Sequence, residues 1–164
     1  LGTIVAPRSG DDASIAAAIA ALKTVGDVED ADVDRELGGG FAAIAVRRGA
    51  DVPGVLEAAA LALGDLPTGR WLVAVDEHVA LDRFEPVLFR WLSNADPTRD
   101  CRVHGTRLCC DATSKTPGVR DGRPVRDYPP LVSMNDDVVR RVEARFANSL
   151  GLDPRCEWPA LGRP

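Results

Sequence analysis

The chain has 164 residues, 45% of them hydrophobic, with a formal net charge of −5 and a pI near 5.0. That length fits one domain with or without a tail, and the apolar share is enough for a core, which excludes wholesale disorder. The 20 basic residues are interspersed with 25 acids, which argues against a dedicated nucleic-acid or membrane-surface binder, where Lys and Arg gather on one face.

The predicted elements alternate along the chain. Thr3-Ile4-Val5-Ala6, stopped by Pro7, reads as a short strand. Asp11 or Asp12 can cap a helix whose buried face is Ile15, Ala18, Ile19 and Leu22. Residues 25–33 are acidic and fit an edge strand, and Gly38-Gly39-Gly40 is a turn. The apolar run Phe41–Val46 reads as a strand buried on both faces. Asp51 then caps a helix with Pro53 in its first turn, Val52, Val55, Leu56, Ala59 and Leu63 inward, and Gly64 at its end. Trp71-Leu72-Val73-Ala74-Val75 is the clearest strand and closes on Asp76-Glu77. Asp82 with Glu85 resembles a capping box, ahead of a stripe of Phe84, Val87, Leu88, Trp91 and Leu92.

From Asn94 the character changes. Residues 94–134 are rich in turn-formers, with Cys101-Arg102-Val103 and Arg107-Leu108-Cys109 as possible short strands. A final helix capped by Ser133 or Asn135 carries Val138, Val139, Val142, Phe146 and Leu150 on one face, and Gly151 and Pro154 stop it. The expected fold is a single α/β domain over residues 1–151, with a tail at 152–164. A mixed or largely parallel sheet has helices packed on it, then an irregular loop region and a C-terminal helix.

No apolar run is long enough to span a bilayer, and residues 1–7 lack the layout of a signal peptide. A chain that begins at Leu1 is expected to start after processing or to be a piece of something longer. The four cysteines, Cys101, Cys109, Cys110 and Cys156, show no CxxC spacing and are accompanied by only two histidines, His78 and His104. Reduced thiols in a cytoplasmic protein without a metal site are therefore expected. Adjacent Cys109 and Cys110 in an extended stretch would point to opposite faces.

Function in open α/β sheets gathers at the C-terminal ends of strands. Asp76 and Glu77 stand at such an end, where they are either an acid–base pair or a solvated strand end with Asp76 anchoring the following loop. Arg47-Arg48-Gly49 follows the Phe41–Val46 strand, and its two guanidiniums suit a carboxylate or phosphate, or a surface contact. The three glycines precede a strand instead of joining a strand to a helix, the wrong context for a phosphate cradle. No nucleophile elbow is present, and His78 reads as a surface histidine. Cys109-Cys110-Asp111-Ala112-Thr113-Ser114-Lys115 is a polar excursion of the kind fixed by side-chain-to-backbone hydrogen bonds. Such loops either carry function or merely stitch elements together.

These segments, in order, resemble the C-terminal domain of the UbiD family, the 3-polyprenyl-4-hydroxybenzoate decarboxylases and their aromatic and α,β-unsaturated acid relatives. The similarity runs through Val25-Gly26-Asp27-Val28-Glu29-Asp30, residues 41–48, 71–79 and 82–92, and Ala95-Asp96-Pro97-Thr98-Arg99-Asp100. It continues through Asp111-Ala112-Thr113-Ser114-Lys115, Gly122-Arg123-Pro124 and the helix from Asp136. The resemblance implies reversible decarboxylation with prenylated FMN, a divalent metal (Mn or Mg) and potassium. The residues that hold these cofactors and do the catalysis belong to a larger N-terminal region or partner subunit, which no segment here matches.

By that resemblance the present chain supplies oligomer contacts, homomeric or heteromeric, and part of a substrate-cavity wall. Arg47, Arg48, Asp111, Thr113 and Lys115 are the contact candidates, no residue of this chain is catalytic, and it binds no cofactor alone. The chain departs from the family in a short Cys101-to-Cys110 segment, in Arg107-Leu108-Cys109-Cys110 itself, and in a shortened Arg47-Arg48-Gly49. All three fall where a cavity wall would change, so no substrate is inferred. Two alternatives stand beside this reading: a non-catalytic assembly or regulatory module, and an autonomous enzyme using Asp76, Glu77 and the arginines.

Overall fold

The computed structural model describes residues 11–35, 38–120, 122–125 and 135–150. The expected first strand, Ser133, the chain beyond the last helix and the 151/152 boundary lie outside the described residues.

Helix α1, Asp12–Leu22, starts where Asp11 accepts a hydrogen bond from the Ser14 N–H at 2.8 Å, and it buries Ile15, Ala18 and Leu22. Strand β1, Val28–Val33, is followed by β2, Phe41–Val46, and the two pair antiparallel with a bulge between Val28 and Asp30. Every residue of β2 is buried, because a strand between two sheet neighbours with helices on its faces has no polar side. Helix α2, Val52–Leu63, leads into β3, Trp71–Asp76, which runs parallel to β2. Asp51 occupies the N-cap position of α2, but its side chain makes no capping bond. At Gly69, φ is +66° and an added Cβ would stand 2.9 Å from Leu63 Cδ1, so the return from α2 to β3 needs glycine.

Helix α3, Phe84–Asn94, corrects one expectation. Its N-cap residue is Arg83 and makes no side-chain cap bond, so the Asp82–Glu85 capping box does not form. The apolar stripe is also wider than the surface beneath it. Val87 is buried and Phe84 and Trp91 pack on the core, whereas Leu92 is 75% exposed. One sheet face offers a helix a limited strip, and Leu92 lies past its edge.

The polar stretch after α3 contributes to the main sheet. A short helix, α4 (Pro97–Asp100), precedes β4 (Cys101–His104) and β5 (Arg107–Asp111), which form a hairpin across Gly105-Thr106. Strand β5 pairs parallel to β3, giving a five-stranded mixed sheet in the order β1-β2-β3-β5-β4. A small antiparallel pair follows, β6 (Gly118–Arg120) and β7 (Arg123–Val125), and then helix α5 (Asp136–Leu150). Asn135 Oδ1 accepts from the Asp137 N–H at 2.8 Å at the start of α5.

The sheet separates two apolar layers. On one face α1 and α2 cover Ala42, Ile44, Val46, Leu72, Ala74 and Cys109. On the other, α3 covers Phe41, Ala43, Ala45, Val73, Val75 and Cys110. Adjacent residues therefore serve opposite layers, as the period of two requires. Cys109 and Cys110 follow this rule as expected, and Cys101, Cys109 and Cys110 are free thiols. Each fully buried Leu, Ile or Val adds roughly 1.5–3 kcal/mol of apolar transfer.

Candidate functional site

The parallel strands β2, β3 and β5 end on the same side of the sheet, and each end carries polar residues. Arg47 and Arg48 follow β2, Asp76 closes β3 with Glu77 next, and Asp111 closes β5 ahead of Thr113, Ser114 and Lys115. All seven residues singled out in the sequence line one groove of about 780 Å³, together with the first turn of α2 and with Val119 and Arg120 of β6.

Asp111 is the hub of the groove floor. Its side chain is 2% exposed. One oxygen accepts from the Thr113 N–H at 3.0 Å and the Thr113 hydroxyl at 2.6 Å, and the other accepts from Arg120 Nη1 at 2.7 Å. Lys115, 5% exposed, folds back so that its ammonium donates to the carbonyls of Asp111 at 2.8 Å and Thr113 at 3.0 Å. It also stands 3.4 Å from Oδ1 of Asp111 and 3.7 Å from Oδ2 of Asp100.

Asp100 extends the chain of charges. The Arg99 guanidinium embraces it through two bonds, Nε at 2.9 Å and Nη2 at 2.7 Å, and Arg99 Nη1 reaches the Pro124 carbonyl at 2.9 Å. Burial alone would raise the Asp100 pKa, but Arg99, the Asp96 N–H and Lys115 outweigh it and hold the carboxyl below its ordinary value. Asp96 caps α4 by accepting from the N–H and hydroxyl of Thr98, and Arg123 Nη1 donates to that hydroxyl at 2.7 Å. The Asp-Pro-Thr-Arg-Asp, Asp-Ala-Thr-Ser-Lys and Gly-Arg-Pro segments thus interlock. Arg99, Asp100, Lys115, Asp111 and Arg120 alternate in sign, which is what makes burying the first four tolerable, with Arg120 partly exposed at the end of the chain.

The strand-end carboxylates are engaged as acceptors. Asp76 takes the Ser114 N–H at 3.1 Å and its hydroxyl at 2.7 Å, so it anchors the loop after β5, not the loop that follows β3. Glu77 Oε2 accepts from the backbone N–H of Arg48 at 3.0 Å. The two acids accept from different partners. Arg47 braces the edge strand through Asp27 at 2.8 Å and Glu29 at 3.0 Å. The exposed guanidinium of Arg48 has no partner among the described residues, and His78 Nε2 lies 3.3 Å from Arg90 Nη2.

Sequence reading did not select Asp100, Arg99, Ser114 or Arg120 as site residues. Three of them sat inside segments already marked as unusual, and that was the available signal. For Arg120 no local pattern existed. Among the described residues no cluster of three or more His, Cys, Asp or Glu could hold a metal ion, and no helix is long and apolar enough to cross a membrane.

No family model and no curated protein matches the chain. The fold is shared with part of the UbiD-class enzymes. An evolved dimeric form of the UbiD-class enzyme HmfF from Pelotomaculum thermopropionicum, in complex with prFMN, is similar at a TM-score of 0.53 and 18% identity, over 63% of this chain and 25% of that one. Vanillic acid decarboxylase from Sedimentibacter hydroxybenzoicus in closed form is similar at 0.52 and 16% identity, over 80% of this chain and 31% of that one. HmfF in complex with FMN is similar at 0.50 and 16% identity, over 72% of this chain and 30% of that one. The chain therefore spans between a quarter and a third of these enzymes.

Proposed function

We propose that this chain is the C-terminal domain or a small subunit of a UbiD-type (de)carboxylase acting on aromatic or α,β-unsaturated carboxylic acids. The observation that carries this reading is that three of the resembling segments, ending at Arg48, at Glu77 and at Lys115, meet in one polar groove, in a fold shared with enzymes that bind prFMN or FMN. The described side chains do not form a metal centre of their own. Following the family resemblance, prenylated FMN, with Mn or Mg and potassium, is assigned in this reading to a larger catalytic subunit or N-terminal region, where the flavin would supply the carboxyl-transfer chemistry.

The residues of this chain then build a wall. The Asp100–Lys115–Asp111–Arg120 network fixes the shape of the groove floor. Arg48, with a donor-only guanidinium open to solvent, orients an anionic group without exchanging a proton. Apolar Phe89 and Leu92 on α3, with Trp71 beside Trp91, give the domain a surface for the larger subunit.

The test is reconstitution. The chain is mixed with the flavin-binding UbiD-type polypeptide encoded nearest to it and with prenylated FMN, and exchange of labelled bicarbonate into an aromatic acid is followed. Exchange that requires both chains is expected. In the reconstituted complex, Arg48→Ala should raise KM roughly tenfold with little change in kcat, the loss of one charge-assisted contact. Association without exchange would favour the assembly-module reading, exchange by this chain alone the autonomous-enzyme reading, and no association would overturn the proposal.

A further inference from the structure

Cys101 and Cys110 are directly opposed across the antiparallel β4–β5 hairpin. Both side chains face the α3 layer, where Cys110 is 1% exposed and Cys101 is half-buried at the margin. The parity of the hairpin fixes their spacing. The Leu108 N–H donates to Arg70 of the β3 side at 2.8 Å, and the Ala112 N–H donates to Ala74 at 2.8 Å. Even-numbered residues of β5 therefore turn their amides toward β3, and Cys110 shares that parity. Cys101–Cys110 is then a non-hydrogen-bonded cross-strand pair, with Cα atoms about 4.5 Å apart, inside the range a disulfide spans. Cys101 stands close enough to Cys110 to help push the Cys110 thiol up, burial being the larger cause. Cys109 lies on the opposite face, in the α2 layer, so it cannot compete for Cys101 without a change of register.

We infer that Cys101 and Cys110 form a reversible intramolecular disulfide, made by exchange with a low-molecular-weight disulfide such as oxidised glutathione. The half-exposed Cys101 thiolate attacks one sulfur of the oxidant and expels one thiolate, leaving a mixed disulfide. The Cys110 thiolate then attacks the Cys101 sulfur and expels the second. Two protein thiols are oxidised, one small disulfide is reduced to two thiols, and the protons leave on those products. Burial keeps the Cys110 thiol protonated well above neutral pH, so the second step is the slow one.

The location gives the bond a consequence. Cys101 follows Asp100 and Cys110 precedes Asp111, so the two acids of the groove network flank the crosslink. This inference does not depend on the decarboxylase reading.

Trypsin supplies the test, because it cuts within the closed loop at Arg102 and Arg107. The full chain is incubated with oxidised glutathione, blocked with iodoacetamide and digested without reductant. Residues 100–102 should appear linked to residues 108–115, with fragmentation placing the bond on Cys110, and dithiothreitol should release them. The oxidised chain should melt roughly 5–10 °C higher than the reduced one. The link should persist in Cys109→Ala and vanish in Cys110→Ala. A link to Cys109 or Cys156, or glutathione left on Cys101 without closure in the wild-type chain, would overturn the inference. The wild-type map decides this even if a variant fails to fold.

Discussion

The carboxylate of Asp76, at the end of β3, holds Ser114 by two donors, the backbone N–H at 3.1 Å and the hydroxyl at 2.7 Å. The two residues are 38 positions apart, and this contact ties the loop after β5 to the neighbouring strand end. Asp76→Ala removes both bonds from a solvent-facing site, so a loss of about 1 kcal/mol is expected. The Ser114 amide should exchange with solvent faster by tenfold or more while amides in β2 keep their protection. Unchanged exchange at Ser114 would show that the loop stands without this anchor.

Asp111 carries a larger stake. Removing its carboxylate leaves Arg120 without its carboxylate partner and Lys115 with the more distant Asp100 as its remaining carboxylate, beside its backbone carbonyls. Breaking one member of a buried charge set costs about 3–5 kcal/mol, so Asp111→Ala should shift the urea midpoint strongly. Lys115→Met, which keeps the length of the side chain but drops the charge, should lose less when combined with Asp111→Asn than the two single changes sum to. Strict additivity would mean that the two groups do not interact.

Stability should fall at both ends of the pH scale. The folded chain binds the Asp100 proton less tightly than the unfolded chain does. Its stabilising share is therefore present above the ordinary carboxylate range and is lost as pH falls through the depressed folded value. Cys109 is the reverse case: burial pushes its thiol up from 9.0 to about 11. That share is full below about 9 and is lost as pH rises through about 11. Urea midpoints measured from pH 3 to 11 should trace this dome, and Cys109→Ala should flatten the alkaline limb. A wild-type midpoint that stays flat from pH 8 to 11 would contradict the assignment.

The exposed apolar edge of α3 bears on association. Leu92 is 75% exposed and Phe89 45%, which costs the isolated domain nothing to change. Leu92→Glu should leave thermal stability within about 0.5 kcal/mol of wild type but weaken co-purification with the flavin-binding polypeptide at least tenfold. Equal recovery of wild type and Leu92→Glu would place the interface elsewhere.

Much of this molecule was legible in one dimension. Phe41–Val46 and α2 carry their own period and end signals, so their bounds match expectation. The opposite orientation of Cys109 and Cys110 followed from strand geometry alone. A local signal failed at the start of α3, where Asp82 and Glu85 fit a capping box, yet the helix begins at Phe84 without a side-chain cap.

What the sequence determined by itself is the set of elements and their inward faces, because hydrophobic period and local capping act over a few residues. The tertiary structure alone decided that residues 107–111 insert beside β3, that Asp76 meets Ser114, and that Asp100, Lys115, Asp111 and Arg120 share one network. Charge pairing and strand pairing depend on distance in space, and only the closed sheet brings groups so far apart in the chain within reach of one another.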